Sequence, residues 1–208
     1  MLKLFKYRCF TNQTDKDRVR DILLRQEIYC ATPAELDDPY DCNIGTAAGL
    51  MDMLVTHAVF CACGDQHNDI LLFSQYADRH TGLALVFTVD VGGTIGDSTF
   101  LGFSKNVTYV DDFPTFDGSN IHKVLWTKYS AWGYQNEYRT IACLDHDPIQ
   151  LRRFEKHELT EIRFGLSMKE ADQQMIMQWA NTAGLTGVKF FKARLRKDKF
   201  QLAYDQVQ

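Results

Sequence analysis

The sequence predicts an α+β fold: a single domain over residues 1–208, with a mixed, mostly antiparallel sheet, whole or split, flanked by helices. Three observations lead there. Short stretches with strand and helix periodicity are interspersed instead of forming regular strand–helix–strand repeats. No internal repeat, low-complexity tract or linker interrupts the 208 residues, a length that suits one domain, or one with a small extension. The 45% hydrophobic and 24% charged fractions are those of an ordinary globular chain.

In order, residues 2–10 alternate Leu2, Leu4, Tyr7 and Phe10 with Lys3, Lys6 and Arg8, which predicts a first strand with a basic residue near its end. Thr14 or Asp15 then caps a helix carrying Val19, Ile22, Leu23 and Gln26, followed by an extended segment over 27–30. Residues 32–41 form a turn-rich loop with four carboxylates, Glu35, Asp37, Asp38 and Asp41, either solvated or folded over a ligand. A short helix is expected over 49–58 and a buried strand over 59–63. Asn68 caps a helix over 69–80, which Thr81-Gly82 ends before a strand over 83–87. On that helix Tyr76 and His80 lie one turn apart on one face beside Phe73, either packed into the core or lining a ligand site.

The glycine-rich stretch over 91–96 lacks GxGxxG spacing and reads as a flexible connection. A strand over 105–110 and a loop over 111–118 lead to a helix that starts at Ser119 or Asn120 and carries Ile121, Val124, Leu125, Lys128 and Trp132 on one side, with Gly133 ending it. In the strand that follows, Glu137 and Arg139 share a face with Ile141, while Tyr138, Thr140 and Ala142 point the other way. A carboxylate and a guanidinium thus stand side by side at the start of an apolar element near Trp132, Tyr134 and Tyr138. They read as a reaction site or as a plain ion pair. A strand over 159–165, a helix over 168–183 and a β-pair formed by 187–192 and 200–204 complete the chain.

The net charge of −4 argues against an extensive nucleic-acid coat but leaves room for a local basic patch, and residues 192–199 supply one: a solvated hairpin or a nucleic-acid contact. No apolar run reaches the roughly 18 residues of a membrane span, and the N-terminus lacks the apolar segment of a signal peptide, so a soluble cytoplasmic protein without membrane contact is expected. Six cysteines without CxxC spacing are expected to be free thiols, and zinc held by Cys61, Cys63 and His57 or His67 is not expected. Walker, HExxH and GxSxG signatures are missing, which removes several common enzyme classes.

Four segments together resemble a bacterial domain-of-unknown-function family related to AbiGi-type abortive-infection proteins: Leu4-Phe5-Lys6-Tyr7-Arg8, the loop over 33–41, Phe73-Ser74-Gln75-Tyr76-Ala77-Asp78-Arg79-His80-Thr81-Gly82, and residues 128–139. Departures occur at Asp37-Asp38-Pro39-Tyr40, at Phe73 and at Cys61-Ala62-Cys63. The layout is also remotely similar to ADP-ribosyltransferases such as the DNA-modifying DarT toxins. That likeness implies NAD as substrate, with Glu137, Tyr76 and His80 in catalytic roles and Arg8, Ser74, Arg139 and Tyr138 in cofactor contacts. It also implies a nucleic-acid or protein acceptor, and a neighbouring regulatory protein would fit a toxin or phage-defence effector. Breaking the nicotinamide–ribose bond develops oxocarbenium character, which a fixed carboxylate stabilises. Two other readings stand beside it: a non-catalytic sensing or interaction domain, and a metal-dependent nuclease using Asp37, Asp38, Asp41 and Glu137. On the transferase reading Arg8, Tyr76, His80, Glu137 and Arg139 converge on one cleft.

Overall fold

A computed structural model describes residues 1–42, 56–64, 69–92, 99–112, 121–145 and 147–207. The fold is α+β with a mixed, mostly antiparallel sheet. In chain order the strands are β1 (Leu2–Arg8), β2 (Glu27–Tyr29), β3 (His57–Cys63), β4 (Leu83–Val89), β5 (Lys105–Asn106), β6 (Thr108–Val110), β7 (Thr127–Tyr129), β8 (Glu137–Cys143), β9 (Leu151–Arg153), β10 (Leu159–Phe164), β11 (Lys189–Leu195) and β12 (Leu202–Val207). The helices are α1 (Gln13–Arg25), α2 (Asp69–Tyr76), α3 (Ile121–Leu125) and α4 (Glu170–Thr182). The expected elements at 49–55, the caps at Asn68, Ser119 and Asn120, His67 and the glycines at 93 and 96 lie outside the described residues.

The chain gathers into two compact units. The first comprises Met1–Glu27, Asp65–Asp90 and Arg153–Gln208. Its strands run in the order β12-β11-β10-β4-β1, antiparallel except for the parallel pair β10 and β11. Strand β4 is buried at Leu83, Ala84, Leu85, Val86 and Phe87 alike, as a strand covered on both faces must be. Helices α1 and α4 meet through a 2.7 Å ion pair of Lys16 with Asp172, and Phe10, just before α1, lies against Trp179 with ring centres 5.9 Å apart. The cap of α1 is Asn12, which accepts the Asp15 N–H, and not Thr14 or Asp15. A polar lattice ties the ends of this unit together. Glu161 accepts from Lys3 and Arg163, the Arg163 guanidinium lies over the rings of Phe5 and Tyr204, and Asp69 accepts the phenol protons of Tyr7 and Tyr204.

The helix expected over 69–80 stops at Tyr76. Asp78, Arg79 and His80 instead take left-handed φ angles of 40°, 53° and 69°. Such backbone is costly for residues with a Cβ. Close packing with the segment that follows β10 overrides the helical periodicity here: Ser167 N donates to the His80 carbonyl and Gly165 N to the Gly82 carbonyl, each at 2.9 Å. Residue 165 has to be glycine, because a Cβ there would lie 2.3 Å from the His80 oxygen and 2.9 Å from the Gly82 oxygen.

The second unit comprises Ile28–Gly64 and Val91–Arg152. In it β3, β8 and β5 pair antiparallel in that order, and β6 lies parallel to β7. The helix expected from 119 or 120 to 132 is overturned: α3 ends at Leu125, β7 follows, and a 3₁₀ turn (Ser130–Gln135) leads into β8. Pairing of Thr127, Lys128 and Tyr129 with Thr108, Tyr109 and Val110 outweighs the apolar spacing that had suggested one long helix. The strand expected over 105–110 is broken into β5 and β6 at Val107, and His57 and Ala58, expected in a helix, belong to β3. The C-terminal β-pair forms as expected, with Leu195 opposite Leu202.

Gly165→Ala forces backbone against backbone, so it should lower unfolding free energy by about 2 kcal/mol or more. Urea titration of the two proteins checks this; equal midpoints would show that the close approach is dispensable.

Candidate functional site

Strand alternation and register build the site in the second unit. In β8, Glu137, Arg139 and Ile141 fall on one face, and their partners across the ladder are Cys63, Cys61 and Val59. Against that face pack Cys42, Val124 and Leu125, all buried. Two further elements deliver charge into this apolar setting: the loop after a 3₁₀ turn (Pro33–Glu35) brings Asp41, and β7 brings Lys128.

The Arg139 guanidinium is fully buried and every donor it has is used. Nη2 reaches both Asp41 oxygens at 2.7 and 2.6 Å, Nε donates to Glu137 Oε1 at 2.5 Å, and Nη1 donates to the Leu125 carbonyl at 2.8 Å and to Cys42 Sγ at 3.1 Å. Lys128 closes the arrangement into a ring. Its Nζ lies 2.6 Å from Glu137 Oε2, 3.1 Å from Asp41 Oδ2 and 5.3 Å from the centre of the Trp132 ring. Two carboxylates and two cations thus neutralise one another, with Asp41 and Glu137 each only 4% exposed.

The backbone of Glu137 is pinned as well. Its N–H donates to the Tyr109 hydroxyl at 2.8 Å, and its carbonyl accepts from Val107 N at 2.9 Å. Burial pushes the Tyr109 phenol up to about 12, and burial likewise pushes the Cys42 thiol up to about 12. Burial would also push Glu137 up, but the charges and hydrogen bonds of Arg139 and Lys128 outweigh it and hold its pKa down at about 2. For Lys128 burial acts downward, and Glu137 and Asp41 reverse it, so the ammonium keeps its proton far into the alkaline range.

Glu137 and Arg139 are therefore brought together as the alternation required. Tyr138 stands on the opposite face, its ring packed so closely over Gly64 that a Cβ there would lie 2.2 Å from it. Arg8, Ser74, Tyr76 and His80 belong to the first unit. Ser74 is exposed on α2, and Tyr76 is its last helical residue. The one-turn helical relation expected between Tyr76 and His80 does not form, because the left-handed turn intervenes. The His80 ring stacks on Phe73 with centres 5.8 Å apart, and burial lowers its pKa. Among the described residues His80 Nδ1 and Arg8 Nε are buried without a hydrogen-bond partner. Burial, reinforced by Arg18, lowers the Arg8 pKa to about 10.

Asp41, Lys128 and Tyr109 complete the ring and its support without having been picked out as partners of Glu137 from the sequence. A lysine on the otherwise apolar stripe of Ile121, Val124 and Leu125 was the signal, since a charge in such company needs a partner. Of the carboxylates a metal-dependent nuclease would use, Asp41 and Glu137 are both held by cations, and among the described residues no group of three or more His, Cys, Asp or Glu is placed to hold a metal. All six cysteines are free. No helix of the described residues is long and apolar enough to cross a membrane.

Comparison with protein-family models, with curated proteins and with solved structures finds no match to this chain.

The depressed Glu137 pKa fixes the sign of a pH dependence. A carboxyl that titrates at about 2 when folded and near 4.5 when unfolded stabilises the fold above about pH 4.5 and loses that contribution as the pH falls towards 2. At about 1.4 kcal/mol for each tenfold change in affinity for the proton, the effect is about 3 kcal/mol. Glu137→Gln should consequently be less stable than wild type at pH 7, with the gap closing between about pH 4.5 and 2 in urea titrations. A gap that stays constant with pH would mean that the charge on Glu137 does not stabilise the fold.

Proposed function

We propose that the chain is an ADP-ribosyltransferase-like enzyme that uses NAD as substrate, a cytoplasmic toxin or phage-defence effector with a nucleic-acid or protein acceptor and a neighbouring regulatory protein. The observation that supports this best is the state of Glu137: a carboxylate kept ionised and fixed in position by Arg139, Lys128 and Tyr109. Stabilising an oxocarbenium-like transition state calls for such a preorganised negative charge, and the orientation has been settled before substrate arrives.

The partners divide the work. Arg139 spends all its donors within the protein and acts as a positioning residue. Lys128 is the exchangeable one. It holds Glu137 Oε2 by a single ammonium at the end of a flexible chain, and at 9% its side chain is the most exposed of the four in the ring. A ribose hydroxyl that takes its place at Oε2 would meet a carboxylate still clamped at Oε1.

The non-catalytic sensing or interaction reading has its own support. Both Glu137 oxygens already have cationic partners, and a closed neutral ring suits a structural role as well as a chemical one.

NAD consumption with protein, DNA and RNA acceptors separates the two. The transferase reading predicts turnover by wild type, a loss of about a hundredfold in Glu137→Gln, and a loss under about tenfold in Lys128→Gln, which keeps the carboxylate. Both variants are assayed below their melting temperatures, since each removes one member of a buried ring. Absence of NAD binding and turnover in the folded wild type with every acceptor would favour the sensing reading. Unchanged turnover in Glu137→Gln would displace Glu137 from the chemistry.

A further inference from the structure

The loop joining β11 to β12 carries features that the packing of its own unit leaves unused. Phe200 is fully exposed and Leu195 is 65% exposed. The two together leave a phenyl ring and an isobutyl group in solvent on one hairpin tip. Beside it stand Lys197 and Lys199, both exposed, and neither has an ion-pair partner among the described residues. The neighbouring arginines are organised differently. Arg196 reaches Asp198 through Nε and Nη2 at 2.9 and 2.7 Å, and the Nε of Arg194 reaches both Asp205 oxygens at 3.0 Å, which fixes the two guanidinium planes on the hairpin surface. The turn itself is defined: Arg196 N donates to the Gln201 carbonyl at 3.1 Å and Gln201 N to the Lys199 carbonyl at 2.8 Å.

We infer that this hairpin tip is a docking surface for single-stranded nucleic acid, with an unstacked base lying on Phe200 and the backbone phosphates of the strand meeting Lys197 and Lys199. An aromatic face next to free ammonium groups is what sequence-tolerant binding of single strands requires, because every base has a face to stack and every linkage a charge. The chain carries a net charge of −4, so the attraction is local to the tip, where Arg194 and Arg196 are each paired with a carboxylate and Lys197 and Lys199 are not. An acidic lipid surface fits less well. Asp198 stands between the two lysines and two residues from Phe200, so a pose that drives the ring into headgroups carries a carboxylate into the same anionic layer. A strand can lie along one side of the tip and avoid it. The inference is independent of the reading of Glu137.

Fluorescence anisotropy with labelled oligo(dT) and oligo(U), titrated against the full chain at several salt concentrations, tests it. Wild type should bind both strands, more weakly as salt rises. Phe200→Ala should lose about tenfold in affinity with an unchanged salt slope. Lys197→Gln/Lys199→Gln should lower affinity and reduce the magnitude of the logarithmic salt slope by about 1.4, the share of two phosphate contacts on a single strand. All the altered side chains are exposed, so the melting temperatures of the variants should match that of wild type. Failure of wild type to bind either oligonucleotide overturns the proposal, as does equal affinity of Phe200→Ala and wild type. Binding to vesicles of mixed neutral and acidic phospholipid without binding to oligonucleotide overturns it in favour of a lipid surface.

Discussion

Burying one guanidinium completely is the constraint around which the second unit is arranged. Arg139 sits in β8 against a buried cluster that includes Cys42, Val124 and Leu125, and its charge is tolerated only because each of its donors meets an acceptor. Those acceptors come from several segments: Asp41 and Cys42 from the loop before β3, Leu125 from the end of α3, and Glu137 from two positions earlier on the same strand. A requirement at one residue thereby fixes the path of several segments. Leaving any acceptor out would strand a donor in a nearly dry interior, so the loop carrying Asp41 is held by the demand of Arg139 as much as by its own turn chemistry.

That demand also explains why the middle of the chain departs from its apolar periodicity. Ile121, Val124, Leu125, Lys128 and Trp132 have helical spacing, and a continuous helix would place Lys128 one turn beyond Val124. The observed chain leaves the helix at Leu125, which frees that carbonyl to accept from Arg139, and then extends so that Lys128 reaches both Glu137 and Asp41. Periodicity records which residues avoid water but not which carbonyl has to be left without its helical donor. A similar conflict arises in the first unit. The periodicity of 69–80 is helical throughout, yet Gly165 needs room beside the His80 carbonyl, and residues 78–80 turn left-handed to provide it. Nothing local to residues 69–80 states that need, since the other partner lies more than eighty residues away.

What was legible in the sequence was what depends on near neighbours. The two-residue alternation put Glu137 and Arg139 on one face; alternation of apolar with basic residues marked β1; an apolar run marked β4; and a basic stretch stood between β11 and β12. The class of fold followed from these. The rest of the ring did not, because Asp41 is one of four carboxylates in its loop and nothing in residues 32–41 distinguishes it from Asp37 or Asp38. The distinction is tertiary: Asp41 is buried against Arg139, while the side chain of Asp38 accepts from the backbone of Tyr40 inside the loop.

Two ion networks among the described residues, one in each unit, differ in a way that bears on what each can do. In the first unit Glu161 is gripped by Lys3, whose side chain is 46% exposed, and by Arg163, whose plane is held between Phe5 and Tyr204. Water can replace Lys3 there at little cost, so that pairing contributes mainly packing and register. In the second unit no member of the ring is open to water, and exchanging a partner at Glu137 means supplying another polar group in the same place. A buried carboxylate that stays charged and accepts only a substitute of matching polarity is selective about what displaces Lys128: a hydroxyl or a developing positive charge satisfies it, whereas an apolar group or a second carboxylate does not. That selectivity is the physical link between the ring and the chemistry proposed for Glu137, and it arises from the same saturation of Arg139 that holds the unit together.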